Sequence, residues 1–522
     1  MKLGPFTLAV LAAAALAAPL FTSTGRAQTF PVFGVYSLPG GPRGANPRGA
    51  FVQARDGSFY ATTYAGGANN TGTVFRYAAD YSRFIPLHEF SAFGTANNNA
   101  DGGRPSAALT EGPDGALYGT TAEGGTAGDG TIFRVTPDGQ FTTLFSFDNN
   151  GARTGRNVVN PLLLGSDGSF YGTAYTGGTA GFGTVFRFTP GASFGVIANL
   201  APGTGANPLG ALVEGADGSL YGTTSASAAN NAGTVFKVAK NGAGFTVLHV
   251  FGATDSTTNT ADGSRPYAGL ALGPDGALYG TTNEGGTGGY GTVFRVTTDG
   301  GRFSVLHNFQ LRDGNGRYPQ AALIYSRNGT FYGTTSTGGT NGRGTVYRVA
   351  PDGQFATVAN LDGGYSGDNV VANVIRTREG QLLGLTQAGG DTNQGVIFQV
   401  SLEPAFFGGR AELSNGVDYL SLPDGRFFGY YSFLVDEHYL YHFDLGYEYV
   451  FDAQDGLNGV YLYDFQSASF FYTNPSFGFP YLYDFSLNTT LYYYPDPNNP
   501  GRYNTNGTRY FFNFATGRII TK

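Results

Sequence analysis

The chain has 522 residues, with 84 glycines, 13% charged side chains, a net charge of −7 and no cysteine. Its only lysines are Lys2, Lys237, Lys240 and Lys522, so no clustered basic surface is available to bind nucleic acid. The missing thiols exclude cysteine nucleophiles, thiolate zinc sites and iron–sulfur clusters, and leave stability to a core large enough for more than one domain.

Residues 1–27 read as a secretory signal peptide. Lys2 gives the positive start, Leu8 to Leu20 is an Ala/Leu run, and Gly25 and Ala27 are small residues at −3 and −1 of a cleavage site. The run is short for a bilayer and Pro19 interrupts it, and no later stretch approaches ~18 uninterrupted apolar residues. A secreted, cell-surface or periplasmic bacterial protein is expected, with no transmembrane segment after cleavage.

A phrase then recurs: Asp-Gly, apolar-Tyr-Gly-Thr-Thr, a glycine-rich stretch, and Gly-Thr-Val-Phe-Arg-Val. Its anchors are Asp56, Asp114, Asp167, Asp217 and Asp275, with variants at Asn328-Gly329 and Glu379-Gly380, at intervals of 58, 53, 50, 58, 53 and 51 residues. Each unit predicts four strands; in the second they cover Ser106–Glu111, Ala116–Thr121, Thr131–Thr136 and Gln140–Phe147. Asp-Gly between apolar runs is a strong hairpin signal, and a four-stranded repeat of ~50 residues is a propeller blade.

Fourth strands follow six repeats, but the seventh stops near Leu402. The missing strand is present as Phe30–Leu38, directly after the leader. Pairing it into the last blade closes the ring and leaves no open sheet edge. The fold class is therefore all-β: a seven-bladed propeller over residues 28–402 closed by an N-terminal strand, then a smaller antiparallel β domain over 403–522.

Recurrent side chains have structural uses in this reading. Tyr60, Tyr118, Tyr171, Tyr221, Tyr279 and Tyr332 share one position, and Phe75, Phe133, Phe186, Phe236, Phe294 and Phe398 another, as rings filling blade interfaces would. Arg76, Arg134, Arg187, Lys237, Arg295 and Arg348 recur on the third strand and are expected to pair within the scaffold.

The phrases LYGTTAEGGTAGDGTIFRV (117–135) and LYGTTNEGGTGGYGTVFRV (278–296) resemble the bacterial GloVer tandem repeat over about residues 50–400. The glycine pairs Gly124-Gly125 and Gly285-Gly286 resemble the kelch repeat more loosely. The resemblance implies the propeller fold and export, often with a variable surface-attachment segment at the end of the chain. It implies no activity.

Candidate ligand-binding residues lie on the face carrying the second-to-third-strand loops and blade connections, because scaffolded long loops usually hold function. Asp101, Arg104, Asp262, Arg265, Asp313 and Arg317 lie in the connections, and Glu123 and Glu284 in matching loops. Their carboxylates are calcium-compatible, but no loop has an EF-hand or RTX pattern, so no metal or other cofactor is called for. His88, His249 and His307 share one repeat position and do not converge on a centre. No nucleophile elbow, zincin motif or phosphate loop occurs, so no catalytic residue is assigned.

Residues 403–522 hold 33 of the 78 Tyr and Phe but only 12 of the 84 glycines. Tyr-Leu recurs at Tyr419, Tyr439, Tyr461 and Tyr481, which predicts serial hairpins with aromatic ladders, or rings presented to sugar faces. His438 and His442 share a strand face without a further ligand. The reading is an exported binding or adhesion protein whose partner is a surface glycan or envelope protein. The alternatives are a propeller hydrolase or lyase acting on glycans, and a structural envelope component.

Overall fold

The computed structural model describes residues 32–79, 81–149, 153–226, 231–252, 261–311, 314–326, 329–378, 380–400 and 402, and then the strands of one further sheet between Ala411 and Thr521. The expected leader at 1–27, Phe30, Pro31, Asp313, Asn328, Glu379, Glu403 and His438 lie outside the described residues.

Seven four-stranded antiparallel sheets make the propeller. Blade two is Thr110–Glu111, Leu117–Thr121, Thr131–Val135 and Phe141–Ser146. Its Asp-Gly turn works as the sequence implies: Gly115 adopts φ +74°, and Asp114 accepts the Ala116 N–H at 3.3 Å. Every residue of the second strand is buried, because blades cover both of its faces. Gly119 lies under the Phe133 ring, where a Cβ would come within 2.3 Å of the ring carbon Cζ.

The innermost strand is shorter than expected, two residues instead of Ser106–Glu111. Its upstream backbone is used across the blade boundary instead. Thr62 of blade one donates to the Ala107 carbonyl at 3.1 Å, and Thr120 of blade two donates to the Asn160 carbonyl at 3.3 Å. The same threonine link recurs at Thr223 to Ala268 and Thr281 to Ala321. These bonds lock neighbouring blades near the axis.

Closure follows the strand count. Val32–Ser37 pairs antiparallel with Val396–Val400, with Val32 opposite Val400 and Ser37 opposite Val396. It is the fourth strand of a sheet completed by Leu382–Leu385 and Ile375–Arg376. The blade packs onto blade one through Leu383, Leu385 and Ile397 against Phe51, Phe59 and Phe75.

The last sheet has eleven strands paired in chain order from Ala411–Glu412 to Arg518–Thr521. Its register sets Phe451 opposite Tyr461, Tyr461 opposite Tyr472, and Tyr472 opposite Tyr483, so these four positions share one face. Among the described residues no helix is long and apolar enough to cross a membrane.

Candidate functional site

Most recurrent polar residues bond to one another. In register, Tyr118 faces Arg134, Tyr171 faces Arg187, Tyr221 faces Lys237 and Tyr279 faces Arg295. Each pair converges on the aspartate of its own Asp-Gly turn. The Tyr171 and Tyr221 hydroxyls donate to Asp167 and Asp217 at 2.8 and 2.9 Å, and Lys237 reaches Asp217 at 2.7 Å. Burial works against the charge on Asp217, but hydrogen bonds from Lys237, the Ser219 N–H and Tyr221 outweigh it and hold the carboxyl well below its ordinary range. The basic ring expected to pair within the scaffold does so at these positions.

The loop carboxylates among the candidate ligand-binding residues are also engaged. Asp101 and Asp262 are not presented to solvent; each is 8% exposed. Asp101 pairs with His88 Nε2 at 3.0 Å and accepts the Ser91 N–H at 3.0 Å; Asp262 repeats this with His249 at 2.9 Å and the Gly252 N–H at 3.1 Å. The histidine rings stack on the next blade, His88 on Phe141 at 3.6 Å and His249 on Phe303 at 3.7 Å. Glu123 accepts Arg104 at 2.9 Å and Glu284 accepts Arg265 at 3.0 Å. Arg317 stands over the Tyr290 ring at 5.4 Å, and its N–H bonds the Thr337 carbonyl. Among the described residues no group of three or more His, Asp or Glu side chains could hold a metal ion.

One backbone feature runs around the whole ring. Asn46, Arg104, Asn157, Asn207, Arg265, Tyr318 and Asn369 all adopt left-handed φ, between 53° and 59°. Asparagine tolerates that conformation; arginine and tyrosine do so at a cost of about 1–2 kcal/mol. The N–H of each bonds the preceding blade, as Arg104 does to the Thr71 carbonyl at 2.6 Å and Arg265 to the Ala232 carbonyl at 2.7 Å. Tyr318 fills the position that Arg104 and Arg265 hold in their blades, so Arg317 sits one residue earlier.

Two residues beyond each left-handed position the chain reaches the axis. There Arg48, Ser106, Val159, Leu209, Tyr267, Gln320 and Val371, one from every blade, wall a cavity of about 310 Å³ together with Asn369 and Gln387. Six residue types occupy these seven equivalent positions. Arg104 lies 5.7 Å from the Tyr64 ring, on which Arg48 rests at 3.6 Å. Sequence reasoning missed this wall. The available signal was the changing residue after the recurring prolines Pro47, Pro105, Pro208, Pro266 and Pro319.

Residues 91–261 and 253–415 match the profile of the Gloeobacter/Verrucomicrobia repeat. The chain belongs to that repeat family. No curated protein matches it. Among solved structures, this Gloeobacter/Verrucomicrobia repeat protein is similar to an oligogalacturonate lyase in complex with manganese, at 11% identity over 73% of this chain and 96% of that one, with a TM-score of 0.45. A gluconolactonase from Xanthomonas campestris is similar at 14% identity over 74% and 92%, with a TM-score of 0.37. A chain of a nidogen/laminin complex is similar at 15% identity over 62% and 97%, with a TM-score of 0.36.

Proposed function

We propose that this protein is an exported glycan-binding or adhesion protein whose propeller is a rigid platform for the axial cavity. One observation carries the reading: all seven blades contribute the residue at one repeat position to the cavity wall, and that position holds six residue types. A scaffold position under packing constraint is filled more uniformly, as Tyr60 and its equivalents are by tyrosine in six blades, with Leu383 in the seventh. The wall supplies amides from Gln320, Asn369 and Gln387 for hydroxyls and the Tyr267 ring for a sugar's C–H face. None of the nine lining residues is a carboxylate, whereas glycoside hydrolysis ordinarily uses two. Arg104 and Arg265 support the wall from outside. Residues 403–522 fit an attachment module, a sheet whose register places Phe451, Tyr461, Tyr472 and Tyr483 in line across four strands.

The test is a glycan array followed by titration of the best ligand. Replacing Tyr267 and Gln320 together with alanine should weaken binding at least tenfold and leave melting nearly unchanged. Replacing Asp138 and Asp352, in turns between third and fourth strands on the opposite face, should leave binding intact. The reverse pattern places function on the short-turn face and removes the axial reading.

A further inference from the structure

We infer that the axial cavity selects an anionic sugar, one bearing a carboxylate or sulfate ester, and that Arg48 is the residue that reads the charge. This rests on the axial binding reading and specifies its ligand.

The guanidinium carbon of Arg48 lies 3.6 Å from the centroid of the Tyr64 ring. At that distance the group must lie flat on the ring, since an edge-on guanidinium would bring a nitrogen about 1.3 Å closer, inside contact distance. A flat guanidinium presents its N–H fork sideways, the geometry that meets a carboxylate or sulfate with two bonds. Its Nε is buried with no hydrogen-bond partner among the described residues. The ion pairs on this face involve other cations: Arg104 with Glu123, Arg265 with Glu284, and Arg343 with Asp368. Among the described residues Arg48 has no ion-pair partner, so it contributes a positive charge to a cavity wall without a carboxylate, in a chain whose net charge is −7.

The rest of the wall is arranged to match. Blade seven adjoins blade one, so Gln387 and Asn369 are on the Arg48 side. Asn369 Nδ2 donates to Gln387 Oε1 at 2.8 Å, which leaves the Gln387 amide N–H₂ as a further donor for an anion. Val159, Leu209 and Tyr267, from blades three to five, make the far side apolar. A ligand with an anionic group at one end and a C–H face at the other fits this polarity. The volume, at the small end of the usual range of about 300–1,000 Å³, suits one sugar ring or a chain end.

The experiment compares four titrations on the full chain: a uronate oligosaccharide, its methyl ester, a neutral oligosaccharide of the same linkage, and a sulfated form of it. The wild type should bind the uronate or the sulfated form at least tenfold more tightly than the ester and neutral probes, and whichever is tighter identifies the anion. Arg48→Gln should abolish that preference, weakening the acidic probes at least tenfold more than the neutral one. Tyr64→Phe keeps the stacking face and should retain the preference, so a loss in R48Q with an unaltered melting curve is charge recognition. Equal binding of acid and ester, no binding of either acidic probe, or an R48Q variant that keeps the preference overturns the inference. If neutral binding persists and depends on Tyr267 and Gln320, only the charge assignment falls; if that pair has no effect, the axial site falls with it.

Discussion

The hydroxyl of Tyr347 lies over Gly333, so close that a Cβ on the glycine would sit 2.4 Å from it. Other blades place phenylalanine at this position over their own glycine, as Phe133 over Gly119 and Phe186 over Gly172. The Tyr347 hydroxyl is therefore an extra polar atom in an apolar interface, fully buried and without a hydrogen-bond partner among the described residues. Burial alone pushes its ionisation far above the ordinary tyrosine range.

Tyr347→Phe should stabilise the propeller by about 1 kcal/mol or more, because it removes an unsatisfied buried group and leaves a ring that equivalent positions already accept. Urea denaturation of the two proteins measures the difference. Equal midpoints would mean that the hydroxyl has a partner.

Stability should fall at both pH extremes, for opposite reasons. Asp114, Asp167, Asp217 and Asp275 are held below the ordinary carboxylate range, so they are ionised in the fold where the unfolded chain begins to take up protons. Their contribution is present above about pH 4 and is lost as pH falls below it. Tyr171 is pushed up to about 12, by burial first and then by its bond to Asp167. Its contribution is complete below the unfolded value of about 10 and disappears as pH rises toward the folded one. Thermal melts across pH should show a plateau with two declining limbs. Asp217→Asn should flatten the acid limb and Tyr171→Phe the alkaline one.

Asp101→Ala and Arg104→Asn, three residues apart, should behave differently. The first leaves the Ser91 N–H and His88 without their acceptor in a part-buried place, at a cost of about 1 kcal/mol or more. The second loses a part-exposed pair with Glu123, typically worth up to about 1 kcal/mol, but relieves left-handed strain by adopting the residue found at Asn46, Asn157, Asn207 and Asn369. Its denaturation midpoint should stay close to that of the wild type.

Deleting the chain through Leu38 should lower the melting temperature sharply and reduce solubility, because Val396–Val400 becomes an open edge. Supplying a peptide of residues 30–38 should restore part of the loss. A truncated protein that melts as before would mean that the ring does not depend on this strand.

The ring was legible because its determinants are local. Asp-Gly turns, Tyr-Gly second strands and Phe-Arg third strands each sit within a few residues, and the unmatched strand at the start of the chain completes their count. What resisted reading was radial position. Nothing near Ser106 reveals that Ala107 offers its carbonyl to Thr62 of another blade, so the first strands were drawn too long. Asp101 read as a loop charge because its partner His88 lies on the preceding strand, thirteen residues away. The cavity wall is spread over the chain from Arg48 to Gln387, and only the ring closure brings those residues together.

That closure also sets how the molecule responds to tension. Val32 lies opposite Val400, so the first residue of the closing strand and the last residue of its partner stand side by side. A load applied through the segments on either side of the propeller enters and leaves at the same end of one antiparallel pair. The ladder then peels rung by rung and does not shear, which demands the least force a strand pair can offer. If the protein tethers a cell by its two ends, this seam parts first and the other six blades keep their own strands.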